Sequence, residues 1–105
     1  MADKYIKLAR VSDLSVGRLM RVHYEGRDIC LAYVDDKVFA VDDMCSHEDA
    51  SLAKGSLHDD CVKCPLHGSR FDLKTGDALD EPAEDPIKTY AVSIEGDDIL
   101  VRVQR

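Results

Sequence analysis

Two short segments of this 105-residue chain hold the side chains best suited to gripping a metal, Cys45-Ser46-His47 and Cys64-Pro65-Leu66-His67-Gly68. In pattern form they read C-x-H, sixteen residues, then C-x-x-H-G. Each supplies one thiolate and one imidazole, donors suited to zinc or iron. At so short a spacing, both ligands of one segment fit on a single loop, and two facing loops make a four-ligand site. Spacing alone leaves open a structural Cys2His2 zinc centre and an iron centre.

Other cysteines and histidines compete for the same reading. Cys61-Val62-Lys63-Cys64 is itself C-x-x-C. A redox pair of that kind belongs at a helix start in a βαβ unit, and no helical period follows here. Cys61 therefore reads as a half-buried strand residue, and Cys30, within Ile29-Cys30-Leu31, as a core thiol. His23 falls in a predicted strand and His58 beside Asp59 in a predicted turn, neither with a ligand partner at useful spacing. Both are expected at the surface.

The elements that must position the loops are strands. Short β-like runs alternate with turn signals about every ten residues, the pattern of an all-β sandwich or barrel. A first strand starts at residues 5–8, and residues 12–17 read as a turn or a single helical turn. Strands over 18–24 and 28–34 flank Glu25-Gly26-Arg27, expected to be a hairpin loop. Asp35-Asp36 then leads into a strand over 37–41. From about 43 to 75 the pattern breaks into loops around short strands, and both ligand segments lie there. Glu81-Pro82-Ala83-Glu84-Asp85-Pro86 is a stiff loop with no room for helix. Residues 87–94 and 99–103 resume strand character across Glu95-Gly96-Asp97-Asp98. The expectation is one domain over 1–105 with an irregular, ligand-bearing insert.

Charge narrows the partners. Asp and Glu outnumber Lys and Arg by 21 to 14, for a net charge of −7. A nucleic-acid binder needs basic density to neutralise phosphates, so that class is not expected. The acids come in pairs, Asp35-Asp36, Asp42-Asp43, Asp59-Asp60 and Asp97-Asp98, which read mainly as solvated surface. Part of this charge can steer a basic protein partner. The first residues form no apolar leader, and no apolar run approaches a membrane span. Neither membrane association nor a disulfide framework is expected. Four cysteines in a cytoplasmic chain point first to metal or redox chemistry.

The two segments, with the tail His67-Gly68-Ser69-Arg70-Phe71-Asp72, resemble those of Rieske iron–sulfur proteins, specifically the soluble ferredoxins of ring-hydroxylating dioxygenases. The similarity runs over nearly the whole chain and includes the closing Ile87-Lys88-Thr89-Tyr90 strand. It implies an antiparallel Rieske-type β-sandwich with a small cluster-binding subdomain of two ligand loops. It also implies one 2Fe–2S cluster, with Cys45 and Cys64 on the inner iron and His47 and His67 on the outer one. Pro65 would stiffen the second loop, and Gly68 would let backbone amides approach the sulfides. Pro82 and Pro86 resemble the proline loop that covers the cluster in this family.

High-potential relatives in respiratory complexes carry an extra cysteine in each loop, where this chain has Ala50 and Leu66, so their disulfide is not expected. Their serine and tyrosine hydroxyls point at cluster sulfurs. Ser69 remains here, but Phe71 stands at the tyrosine position with no donor. A potential low in the Rieske range of roughly −150 to +300 mV follows. The resemblance implies a monomeric carrier that catalyses nothing alone. It would take single electrons from a flavoprotein reductase to a terminal oxygenase through transient contacts. Glu48, Asp49, Lys54, Arg70 and Lys74 flank the loops as a candidate docking rim. Rival readings are a small subunit like that of assimilatory nitrite reductase, a cluster-based sensor and a zinc structural module.

Overall fold

The computed structural model describes residues 4–15, 17–35, 37–45, 50–66, 68–80 and 85–103. Among the described residues, ten strands form three antiparallel sheets and no α-helix occurs. Strands β1 (Lys4–Arg10), β9 (Val92–Glu95) and β10 (Asp98–Val103) make one sheet in the order β1-β10-β9. A second sheet has β2 (Leu19–Tyr24), β3 (Arg27–Val34), β4 (Lys37–Asp42) and β8 (Thr89–Tyr90) in the order β2-β3-β4-β8. The third, β5 (Ser56–His58), β6 (Cys61–Lys63) and β7 (Arg70–Asp72), is small and lies within the expected insert. Among the described residues no helix is long and apolar enough to cross a membrane.

The central sheet is a wall between two cores. Successive side chains of a strand face opposite ways. Ile29 and Leu31 of β3 therefore pack with Ala40, Tyr90, Ile99 and Val101 on one side. Cys30 and Ala32 pack with Val41, Val62 and Phe71 on the other. Burial on both faces explains why 29–32 is a continuous apolar run rather than an alternating one. The second core faces the small sheet and contains the site.

Two local expectations change. The β2–β3 loop is two residues long, because Arg27 already pairs with Tyr24. Glu25 and Gly26 both have positive φ, 47° and 81°, as a type I′ turn requires. The single strand expected over 87–94 is two strands serving different sheets. Tyr90 pairs with Ala40, whereas Val92 pairs with Val101. Ala91 links the sheets, and its carbonyl accepts from the Arg102 N–H at 2.9 Å.

Between β7 and β8 the chain makes a close crossing at Gly76. The Ile87 N–H donates to the Gly76 carbonyl at 2.8 Å. Gly76 has a φ of 82°, and a Cβ there would lie 2.1 Å from the Ile87 carbonyl oxygen.

Tyr90 fastens β8 to the end of β4, donating its hydroxyl to Asp42 Oδ1 at 2.6 Å. Burial, then this bond and the Asp42 charge, push its pKa from 10.0 up to about 12. Cys30 is pushed from 9.0 to about 12, chiefly by burial and then by Asp43. In each case the folded state holds its proton more tightly. The associated stability is complete below the unfolded pKa and is lost as pH rises towards 12. Urea unfolding between pH 9 and 12 should show this decline. Tyr90→Phe should flatten it above pH 10, leaving the thiol's share; an unchanged slope would refute the assignment to Tyr90.

Candidate metal centre

The first ligand loop begins where β4 ends and is pinned at its neck. The Cys45 N–H donates to the Ala50 carbonyl at 3.0 Å, and Met44 bridges Ser51. Below them, the Leu52 N–H donates to the Asp43 carbonyl at 2.7 Å. The Asp43 side chain closes the structure, accepting from Ser51 Oγ at 2.6 Å and from the Ala53 N–H at 2.9 Å. Asp43 is only 2% exposed. Its reading as solvated surface is thus corrected: it ties both limbs of the loop together. Its only sequence signal is its place two residues before Cys45, where Asp42-Asp43 looks like any other acidic pair.

The second loop joins β6 to β7, in which Lys63 pairs with Arg70. The Cys64 N–H donates to the Ser69 carbonyl at 2.8 Å, and the Gly68 N–H donates to the Cys64 carbonyl at 3.1 Å. The turn is therefore tight, and Gly68 takes a φ of 76° within it. Pro65 and Leu66 are exposed at its outer end, while Ser69 is buried.

These loops bury their cysteines in one core. Cys45 and Cys64, 3% and 2% exposed, lie in the same buried cluster with Leu52, Val62 and Phe71. Neither is joined in a disulfide. Two soft donors buried in one core from separate loops suit the sulfur side of an iron–sulfur site. His47 and His67 lie outside the described residues, as do Ser46, Glu48, Asp49 and Pro82. Accordingly, no group of three or more His, Cys, Asp or Glu forms among the described residues.

The remaining candidates fall outside this cluster or at its edge. Cys61 is a half-buried residue of β6, and Cys30 is fully buried in β3. His23 is exposed, with Nδ1 2.7 Å from Asp28 Oδ1, and His58 is exposed, with Nε2 2.9 Å from Ser56 Oγ. Of the expected rim, Arg70 is taken up by a two-pronged pair with Asp80 at 2.6 and 3.1 Å. That pair holds the Asp80 carboxyl below the usual carboxylate range. Lys74 pairs with Asp60 at 3.3 Å, while Lys54 is exposed beside the first loop.

Comparison with known proteins bears directly on this geometry. Residues 4–91 match the Rieske 2Fe–2S domain. The 3-phenylpropionate/cinnamic acid dioxygenase ferredoxin subunit of Photorhabdus laumondii is 46% identical, over 89% of this chain and 89% of its own. The ferredoxin component of the naphthalene 1,2-dioxygenase system of Pseudomonas aeruginosa is 36% identical, over 96% of this chain and 97% of its own. Among solved structures, a complex of reduced oxygenase and oxidised ferredoxin in carbazole 1,9a-dioxygenase superposes with a TM-score of 0.88. The matched chain is 30% identical, covering 93% of this chain and 92% of that one. A small subunit described as that of an NADPH nitrite reductase reaches 0.83 at 29% identity, covering 93% and 97%.

Proposed function

The chain belongs to the Rieske 2Fe–2S domain family, and from that premise we propose that it is the ferredoxin of an aromatic-ring dioxygenase system. It would carry single electrons from a flavoprotein reductase to a terminal oxygenase and catalyse nothing alone. Cys45, His47, Cys64 and His67 are the proposed ligands of its one cluster. The observation that carries this reading is that Cys45 and Cys64, at the bases of two separate loops, are buried in one core with no disulfide.

When bound, a Rieske cluster supplies one-electron chemistry at a potential raised by its two neutral imidazoles. The chain's own residues do the rest. The apolar second core keeps water from the two thiols, and Asp43 and the Cys64–Ser69 bond hold their loops in place. Cysteines outside any disulfide suit a reducing compartment, which supports a cytoplasmic place. A transient carrier needs only a small contact area and works as a monomer. One domain over 1–105, with its cluster-binding insert at about 43–75, accommodates all of this.

Ser69 and Phe71 are the proposed levers on potential. A hydrogen bond favouring the reduced state by about 1 kcal/mol moves a one-electron couple by about 40 mV. Ser69→Ala should lower the midpoint potential by about that amount. Phe71→Tyr should raise it, provided the new hydroxyl finds the site as its acceptor. Potentials unmoved in both variants would refute these roles.

Relay is tested by mixing this protein with a purified flavoprotein reductase, NADH and a terminal oxygenase without oxygen. Oxygenase reduction should depend on the amount of this protein. A rate equal to that of the mixture without it would exclude the relay. The nitrite reductase likeness favours one second reading, a permanent subunit. Sedimentation as a monomer after gentle purification supports the carrier; co-purification with a large partner supports the subunit.

A further inference from the structure

Lys63 ends β6 and immediately precedes Cys64. A Cβ placed on Gly68 would lie 3.1 Å from Lys63 Cε and 3.9 Å from its Nζ. The lysine stem therefore lies back across the turn that begins at Cys64, and glycine leaves it room. Lys54 approaches the same place from the end of the first loop. Both lysines, with Cys64, Pro65 and Gly68, line a hollow of about 330 Å³.

The other cations of the expected rim are already in ion pairs. Arg70 is held by Asp80 and Lys74 by Asp60, at 2.6 and 3.3 Å. Among the described residues, no carboxylate pairs with Lys54 or Lys63 at ion-pair distance. The Lys63 charge is felt beyond the turn, since it helps to lower the Asp80 carboxyl. In a chain of net charge −7, two exposed lysines thus border the second ligand loop, neither in an ion pair with a described carboxylate.

We propose that Lys63 is a positioning residue for charge: its ammonium, held over the second ligand loop, favours electron uptake at the site to which Cys64 belongs. Lys54 adds to the effect in smaller measure. The inference rests on the four-ligand reading above. The electron comes from the donor protein of the relay, and no bond forms or breaks. Its arrival makes the site one unit more negative, and a nearby fixed cation stabilises the more negative form. Because both ammonium groups face solvent, salt weakens the effect.

The test is anaerobic redox titration of the iron-loaded protein at low ionic strength. Lys63→Met keeps a stem and removes the charge; Lys63→Glu reverses the charge; Lys63→Arg retains it. Lys63→Met should make electron uptake about threefold less favourable, a fall of ~28 mV at 59 mV per decade. Lys63→Glu should fall about twice as far, and Lys63→Arg should stay near the parent. These differences should shrink with added salt, while visible circular dichroism and EPR g values stay fixed. Equal potentials in the parent, Lys63→Met and Lys63→Glu, each with two irons and two sulfides per chain, would overturn the inference. So would a fall in Lys63→Arg as large as in Lys63→Met. If Lys63→Glu does not load, Lys63→Met alone and combined with Lys54→Met decides the matter on the same scale. A parent protein that holds no iron and sulfide overturns the four-ligand reading itself, and the two failures are told apart by that assay.

Discussion

Cys45→Ser and Cys64→Ser should each yield a chain with almost no bound iron or acid-labile sulfide. Each removes a soft, charged donor from a site only 3% or 2% exposed and leaves a poorly matched hydroxyl there. Losing a group that binds only the folded chain removes its stabilisation, so the variants should also unfold more easily. His47→Ala and His67→Ala should lose the characteristic spectrum, since each removes a donor that the other loop cannot replace. Cys61→Ser is the decisive control. Cys61 shares a C-x-x-C with Cys64 but is a half-buried strand residue opposite Asp72. It should bind the full two irons, as should His23→Ala and His58→Ala. Iron and sulfide assays on all these proteins make the comparison. A Cys61→Ser protein that loses iron while Cys64→Ser keeps it would reverse the ligand assignment.

The second large effect is expected at Asp43, which is not one of the four proposed ligands. Its carboxylate accepts from Ser51 Oγ and from the Ala53 N–H, closing the neck of the first loop. Asp43→Ala leaves both donors without that acceptor in a buried setting. The cost should be about 3 kcal/mol, or a fall of about 15 °C in Tm for a domain of this size. Bleaching of the visible bands should accompany unfolding at that lower temperature. Ser51→Ala should cost less, and the double variant should cost less than the sum, because both act through one network. A Tm within about 2 °C of the parent for Asp43→Ala would show that the loop is held by other means.

Much of this could be read from residue order, and the exceptions share a physical cause. Hairpins were legible because Gly26 and Gly96 sit at positive φ between apolar runs. The two Cys/His segments stand out as candidates because a thiolate and an imidazole at such spacing have few other uses. The division of 87–94 was not, since alternation tells which way a side chain points but not which strand it pairs with. Ala91 separates two such pairings without any composition signal. Nor were Asp43 and Lys63 legible. One is an acid in an acidic chain and the other a lysine on a strand. Their significance comes from contacts with Ser51, Ala53 and Gly68 that only the folded loops create.

The central claim is unequal ligation of two irons, thiolates on one and imidazoles on the other. EPR of the anaerobically reduced protein, with iron and sulfide counted on the same sample, tests it most directly. Two irons, two sulfides and a Rieske-type signal that disappears when His47 and His67 are replaced are expected. A colourless, zinc-containing protein, or a signal that persists without either imidazole, would contradict it.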